Sequence, residues 1–387
     1  MSNVLVIGGL HHNTLGVIRS LGEEGIPSCN IRLLIVGMNI SEKNILSMSK
    51  YVTNENIDYV NTDECIVPYM LRLQGDKTKR CVICCSDGSA EAVISNYDVL
   101  KKYYDLPRTK IDIHQLMKKQ FQDQIAIECG FTVPYSKIIN KGEEYSWSIF
   151  PCIIKPLKSV YGNGKADIII SHNKVELDEA LLSIGGTSIQ IQQYIKKEME
   201  YQLIGCSLDS GKNVIIPGYT NIIRQPHNTN TGYLFYESLD RLSFNKEAVA
   251  KFMDRIGYSG LFSLEFIRDS EGKDFFLEIN LRNDGNAYCV KTAGVNLPFI
   301  WCYYNWFKDL SDIHTTIDTP VYFMPDYNDI KVGIHSVGFI KWIYQFMSAK
   351  SHAVFNRKDI SPFVFATWRF ISSHLEHIRT KSYRKST

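Results

Sequence analysis

Apolar positions near the start of the chain come as short runs separated by helically spaced stretches. Val4 to Ile7 is a continuous apolar run closed by Gly8-Gly9. Thr14-Leu-Gly-Val-Ile-Arg-Ser-Leu21 follows with helical spacing and ends at Gly25, so the segment reads strand, turn, helix. Ile31 to Val36 and Arg80 to Cys85 are further runs of strand length, and Ser86-Asp87-Gly88 stands just after the second. This alternation predicts a parallel α/β domain over residues 1–112, with ligands at the carboxyl ends of its strands. Gly8, Gly9 and Gly16 are not spaced as a dinucleotide fingerprint, so they carry no phosphate-binding claim.

Ile113 to Cys129 has helical periodicity and stops at Gly130, and Thr132-Val133-Pro134 turns the chain into a different texture. Strands and hairpins dominate from there to about residue 325, with helical stretches at Lys174–Ser183 and Lys246–Ile256. A second domain is expected over 113–325. Within it, Ser263 to Asn280 reads as a hairpin turning at Asp269-Ser-Glu-Gly272. Period two assigns Leu264, Phe266, Phe275, Leu277 and Ile279 to the core face. Glu265, Glu278 and Asn280 then share the other face, with the two carboxylates side by side if residues near 265 pair with residues near 278. Like charges so placed repel, and a divalent cation removes the repulsion. Carboxylates plus an amide oxygen, completed by water and phosphate, suit magnesium, while an ordinary solvated acidic face is the alternative.

Two other segments carry candidate chemistry. Phe150-Pro-Cys-Ile-Ile-Lys155 is an apolar strand ending in a lysine, and it runs into a loop with Gly162 and Gly164. A lysine on a buried strand needs an anionic partner, and glycines let backbone N–H groups approach phosphate oxygens. Ala166 follows Lys165, so this is not a Walker A loop. Ile189-Gln-Ile-Gln-Gln-Tyr-Ile195 is a strand followed by Lys196-Lys197-Glu198-Met199-Glu200. Its edge could read an adenine, or it could be an ordinary sheet strand with a charged turn.

Composition narrows the class. The chain has 387 residues, 44% of them hydrophobic, enough for two or three domains. No apolar run approaches the ~20 residues that cross a bilayer. The N-terminal run reads as a strand rather than a leader, and the ten cysteines are scattered through apolar segments, which predicts reduced, buried thiols in a cytoplasmic protein. Cys81 and Cys84 would point to opposite faces of a strand, against a metal or redox pair. The net charge of +2 conceals an asymmetry: from Phe339 onward nine Lys or Arg stand against two acidic residues. That basic, aromatic-rich extension, 326–387, is expected either to pack amphipathic helices on the core or to touch anionic lipid at the inner membrane surface. The acidic balance of the rest disfavours nucleic acid.

Taken in order, these segments resemble the ATP-grasp superfamily over most of the chain. Lys119, in the helix ending at Gly130, matches the first ATP-contacting lysine. Lys155 matches the second, and Leu157–Lys165, with Gly162 and Gly164, matches the flexible lid in a lobe at about 130–190. Gln193, Tyr194 and Ile195 match the adenine hinge, and Glu198 or Glu200 matches the ribose carboxylate. Leu277-Glu-Ile-Asn-Leu-Arg282 matches the family's Glu-Ile-Asn-x-Arg, with Leu281 in place of the usual proline and Glu265 as the upstream metal ligand. The resemblance implies an N-terminal pre-ATP-grasp α/β domain, a two-lobed α+β ATP-grasp domain and a short helical basic tail. It also implies ATP with one or two Mg²⁺ (or Mn²⁺) ions, and Arg282 on the transferred phosphoryl group or the intermediate.

Gly16-x-x-Arg-Ser-Leu21, Ser86-Asp87 and Asp359-Ile-Ser-Pro-Phe363 are similar to the carboxylate–amine ligase branch that includes D-aspartate ligases and enzymes of cell-surface polymer assembly. That branch implies small-molecule carboxylate and amine substrates joined through an acyl phosphate, with a homodimer compatible. Arg224, in the segment from Ile223 through His227 to Gly232, is the candidate holder of a substrate carboxylate. His11-His12 reads as a loop pair. The rivals are a phosphotransferase, a carboxylase-type enzyme and a non-catalytic ATP-binding regulator.

Overall fold

The computed structural model describes residues 3–73, 79–156, 168–226 and 231–372, in three sheets. Strands β1 (Val4–Gly8), β2 (Ile31–Val36), β3 (Ile57–Val60), β4 (Arg80–Cys84) and β5 (Tyr104–Asp105) form a parallel sheet in the order β3-β2-β1-β4-β5. β1 is buried along its whole length, which is why it reads as an unbroken apolar run. Cys81 and Cys84 of β4 fall into different core clusters, as a strand's period of two requires. Eight of the ten cysteines are buried and all ten are free thiols, Cys29 and Cys65 being exposed. The chain proceeds from β1 toward β3 on one side and from β4 to β5 on the other. The crevice beyond the carboxyl ends of β1 and β4 is therefore the topological switch point of the sheet.

A small antiparallel sheet, β6 (Ser136–Asn140), β7 (Cys152–Pro156), β8 (Ile169–Ser171) and β9 (Ser188–Gln193), is ordered β6-β9-β7-β8. With helix Lys174–Ser183 it encloses its own core of Ile139, Trp147, Ile154, Leu177 and Ile191. The third sheet holds β10 (Lys197–Leu208), β11 (Asn213–Ile215), β12 (Gly218–Arg224), β13 (Tyr233–Ser238), β14 (Gly260–Asp269), β15 (Asp274–Asn280), β16 (Val321–Met324) and β17 (Ser351–His352). Its order is β15-β14-β10-β12-β13-β16-β17, with β11 alongside β10. The parallel sheet and this large sheet share their cores: Val4 and Leu33 lie in one cluster with Ile204 and Phe323, and Leu5 and Val82 in another with Leu203 and Leu264.

The structure modifies two expectations and adds a strand from the C-terminal extension. Helical residues 113–129 are two helices, Ile113–Leu116 and Lys119–Cys129, because Lys118 takes an extended conformation and Lys119 opens the second. Leu277 does not join the core. A bulge between the 265–278 and 266–276 pairs leaves it unpaired, and Phe276, fully buried, faces Phe266 in its place. The C-terminal extension joins the body of the fold: β17 pairs in parallel with β16, inside the large sheet.

Past β17 the chain crosses to helix His12–Glu23 and is locked there by a buried ion pair. Arg19 Nε donates to Asp359 Oδ2 at 3.0 Å, and its Nη2 donates to the carbonyls of Val354 and Asp359. Asp359 also accepts from Ser49 Oγ at 2.8 Å and Lys50 N at 3.0 Å. Breaking one side of such a pair leaves a buried charge uncompensated, at a cost of about 3–5 kcal/mol. Asp359→Asn is expected to lower unfolding free energy by roughly that amount in denaturant titration. A loss under about 1 kcal/mol would mean that the pair does not hold the C-terminal region in place.

Candidate functional site

The hairpin register is the one the acidic face requires. Glu265 lies directly opposite Glu278, Leu264 opposite Ile279, and Ser263 opposite Asn280. Glu265 is buried, and its Oε1 accepts from Gln202 Nε2 and Asn280 Nδ2, both at 3.1 Å. Burial first, then the neighbouring Glu278 and Asp284, pushes the Glu265 carboxyl up to about 8. Among the described residues no group of three or more His, Cys, Asp or Glu could hold a metal ion by itself. The donor set is thus two carboxylates and one amide, which fits a cation that also takes oxygens from a bound phosphate and water. Asn280 Oδ1 accepts from Arg282 Nη2 at 3.2 Å.

The two lysines converge on this hairpin from different lobes. Lys119, the first residue of its helix, donates through Nζ to the carbonyl of the bulged Leu277 and pairs with Asp123 at 3.3 Å. Lys155, on β7 of the small sheet, donates to Gln192 Oε1 at 3.2 Å. Burial and the nearby Lys119 charge lower the Lys155 pKa, with Glu278 and Asp123 acting in the opposite direction. Burial raises the Asp123 pKa against the pull of Lys119. Two ammonium groups thus repel across a gap bordered by Glu278, an arrangement that a polyanion would relieve.

At the hinge, Gln193 ends β9, and its Oε1 accepts from Tyr135 N at 3.4 Å. Tyr194 N is spent on Pro151 O at 3.1 Å. Of the two candidate ribose carboxylates, Glu200 lies on the site face. It is two residues from Gln202, its charge raises the Glu265 pKa, and Lys197 pairs with it at 2.5 Å. Glu198 falls at a register shift and is exposed. Gly162 and Gly164, the Leu157–Lys165 segment, His227 and the last fifteen residues lie outside the described residues.

Arg224 is a correction. It ends strand β12 rather than sitting in a loop, and its guanidinium is buried on Asp329, at 3.0 Å through Nε and 2.5 Å through Nη2. The Tyr233 ring lies 4.8 Å from it. A fork already closed on a buried carboxylate is not free to hold a substrate carboxylate.

The switch-point crevice brings Arg282 and Asp87 together with residues that sequence reasoning dismissed or passed over. Arg282 Nε donates to Asp87 Oδ1 at 2.9 Å, and Asp284 lies 3.7 Å from its Nη1. Burial opposes the Arg282 charge, but the two aspartates outweigh it and raise its pKa. Asn13 Nδ2 donates to Cys85 O and Asn283 O, and Asn283 Nδ2 returns a bond of 2.5 Å to Asn13 Oδ1. This amide pair fastens the loop after the β14–β15 hairpin to the ends of β1 and β4. His12 is buried within 3.3 Å of Thr231 Oγ1. Burial and the adjacent His11 lower its pKa to about 3, so its imidazole is neutral. The available signal was position: both histidines follow the Gly8-Gly9 turn at the end of a parallel strand.

No protein-family model matches the chain. It is 30% identical over 166 residues to the 2-oxoglutarate carboxylase small subunit of Hydrogenobacter thermophilus, a match that spans 39% of this chain and 34% of that one. It is 24% identical over 277 residues to a D-aspartate ligase of Enterococcus faecium, spanning 64% of this chain and 65% of that one. Both matches therefore leave more than a third of the relative's length uncovered. Among solved structures it resembles an L-amino acid ligase from Bacillus licheniformis, with a TM-score of 0.54, 12% identity, and 79% and 74% of the two chains covered. An ADP complex of N5-carboxyaminoimidazole ribonucleotide synthetase gives a TM-score of 0.58 at 13% identity, over 83% and 80%. The biotin carboxylase domain of the H. thermophilus 2-oxoglutarate carboxylase, solved with MgADP and bicarbonate, gives 0.58 at 18%, over 82% and 73%. These likenesses establish the shared architecture.

The buried Glu265 carboxyl leaves a signature in the metal-free protein. An acid whose pKa rises on folding, here from 4.5 to about 8, costs stability as pH climbs through that window, because the unfolded chain ionises first. Melting temperature is expected to decline between about pH 4.5 and pH 8, and Glu265→Gln, neutral throughout, is expected to remove part of that decline. Superimposable pH profiles for the two proteins would contradict the raised pKa.

Proposed function

We propose that this chain, which has the ATP-grasp fold, is an ATP-dependent carboxylate–amine ligase. A substrate carboxylate oxygen bonds to the γ-phosphorus of ATP as the bond to the β,γ-bridging oxygen breaks and ADP departs. An amine nitrogen then attacks the acyl carbon of the resulting acyl phosphate, phosphate leaves with the electrons of the C–O bond, and the nitrogen releases a proton to solvent. Such transfers need charge neutralisation and alignment more than covalent help from the protein.

The observation that carries this reading is the meeting of two like-charged pairs, Lys119 with Lys155 and Glu265 with Glu278, at one cleft. The lysines would bind the phosphate chain and lose their mutual repulsion. Glu265, Glu278 and Asn280 would hold Mg²⁺ or Mn²⁺, which supplies charge neutralisation and orients the phosphates when bound. Ile195 N offers the hinge donor for adenine, and Glu200 is placed for the ribose hydroxyls. Arg282, kept charged by Asp87 and Asp284, would share the charge of the transferred phosphoryl group. With Arg224 closed on Asp329, the crevice of His11, His12, Asp87 and Arg282 is the better place for the carboxylate substrate.

The match to a 2-oxoglutarate carboxylase subunit favours one second reading, a carboxylase-type outcome in which bicarbonate is the carboxylate phosphorylated. ADP release measured with candidate carboxylates, with and without amines, and with bicarbonate alone distinguishes the two. Amine-dependent release supports the ligase, and bicarbonate-dependent release without amine supports the second reading. Glu278→Gln is expected to lower ADP release by on the order of 10²-fold or more with the melting temperature retained. Unchanged turnover would remove the carboxylate pair from the chemistry.

A further inference from the structure

Helix Phe339–Ser348 is apolar on two sides. Trp342 and Phe346 turn inward: the Trp342 indole N–H donates to Asp329 Oδ2 at 2.9 Å, and the Phe346 ring lies against His352, Phe355 and Phe363. On the other side Phe339, Ile340, Ile343, Tyr344 and Met347 are exposed, Ile340 by 85%, Tyr344 by 72% and Met347 by 67%. At about 100° per residue these five span an arc of roughly 140° with no polar residue inside it. Among the described residues, packing against the core uses only the inward side and leaves a second apolar face uncovered. Continuous exposed apolar surface of this kind marks a docking face.

Two neighbouring features identify its occupant. The helix over 361–372 exposes Val364, Trp368 and Ile371, spaced i, i+4, i+7 and so on one face. Tyrosine and tryptophan at the margins of apolar surface suit a membrane interface. A groove of about 520 Å³ begins at Met347 of the exposed arc and is lined by Lys291, Lys350, Arg357 and Lys358, with Glu23 its one acidic lining residue. Of the two acidic residues beyond Phe339, Asp359 is sealed against Arg19, so the outward charge of this region is positive. A second copy on this face would bring two basic rims together. An anionic surface would neutralise them.

We propose that this surface seats the protein on an anionic lipid membrane. The outward face of helix Phe339–Ser348 lies in the interfacial layer, and the basic groove receives lipid headgroups. The proposal is independent of which bond the active site makes, and it places the cleft of Lys155 and Glu265 on a protein held at a membrane surface.

The test uses the full chain and sedimentation with vesicles of phosphatidylcholine alone or mixed with phosphatidylglycerol. The protein is expected to sediment with the mixed vesicles, to remain in solution with phosphatidylcholine alone, and to dissociate as salt is raised. The double variant Ile340→Asp, Tyr344→Asp alters exposed side chains and is expected to weaken anionic-vesicle binding by on the order of tenfold or more, with melting temperature and ADP release unchanged. Lys350→Glu with Lys358→Glu is expected to weaken it independently. Three results would each overturn the proposal: no binding to anionic vesicles, binding undiminished in the double variant, or self-association that the double variant abolishes without vesicle binding.

Discussion

Glu265 and Glu278 face each other across two antiparallel strands, and the large sheet is organised around that opposition. A buried carboxylate beside another can persist only if it keeps a proton or gains a cation. The chain surrounds Glu265 with groups suited to both states. Gln202 and Asn280 donate to it, Asp284 and Glu200 add negative field, and Asn286 fixes Gln202 by donating to its Oε1 at 2.8 Å. The lysines answer from other elements. Lys119 reaches the same hairpin through the carbonyl exposed by the bulge at Leu277, so the bulge that spoils the strand's period is what joins the first lysine to the acidic pair.

Much of this was legible because period two is a strict rule. The acidic face of Glu265, Glu278 and Asn280, the buried strand carrying Lys155, and Cys81 and Cys84 on opposite faces of β4 all follow from alternation. What was not legible depended on long-range closure. Arg224 and Asp329 stand 105 positions apart, and no local pattern announces that they form a pair. The break before Lys119 depends on one extended residue inside an otherwise helical period. His11, His12 and Asn13 gain their meaning from the loop 270 residues away that Asn13 clamps. The choice between Glu198 and Glu200 turns on a register shift, which side-chain spacing does not record.

The C-terminal region shows how one segment can serve two surfaces. Its inward groups are ion-paired or packed: Asp359 on Arg19, His352 on Asp326 at 2.7 Å, and Trp342 on Asp329, which also holds Arg224. These buried pairs tie it to helix His12–Glu23, whose N-terminus borders the switch-point crevice, and to the sheet that bears the hairpin. The outward side of the same helices is apolar and basic. The C-terminal region and the site are thus joined through packed elements rather than through a linker.

On the proposed function, a cation and nucleotide entering the cleft displace the proton of the buried Glu265, and calorimetric titration of MgADP near pH 7 measures that release. In two buffers of different ionisation enthalpy, proton release appears as a difference in apparent binding enthalpy. The expected result is release of a substantial fraction of one proton by the wild-type protein and little by Glu265→Gln. Equal enthalpies in both buffers for the wild type, or the same proton release from the variant, would contradict it.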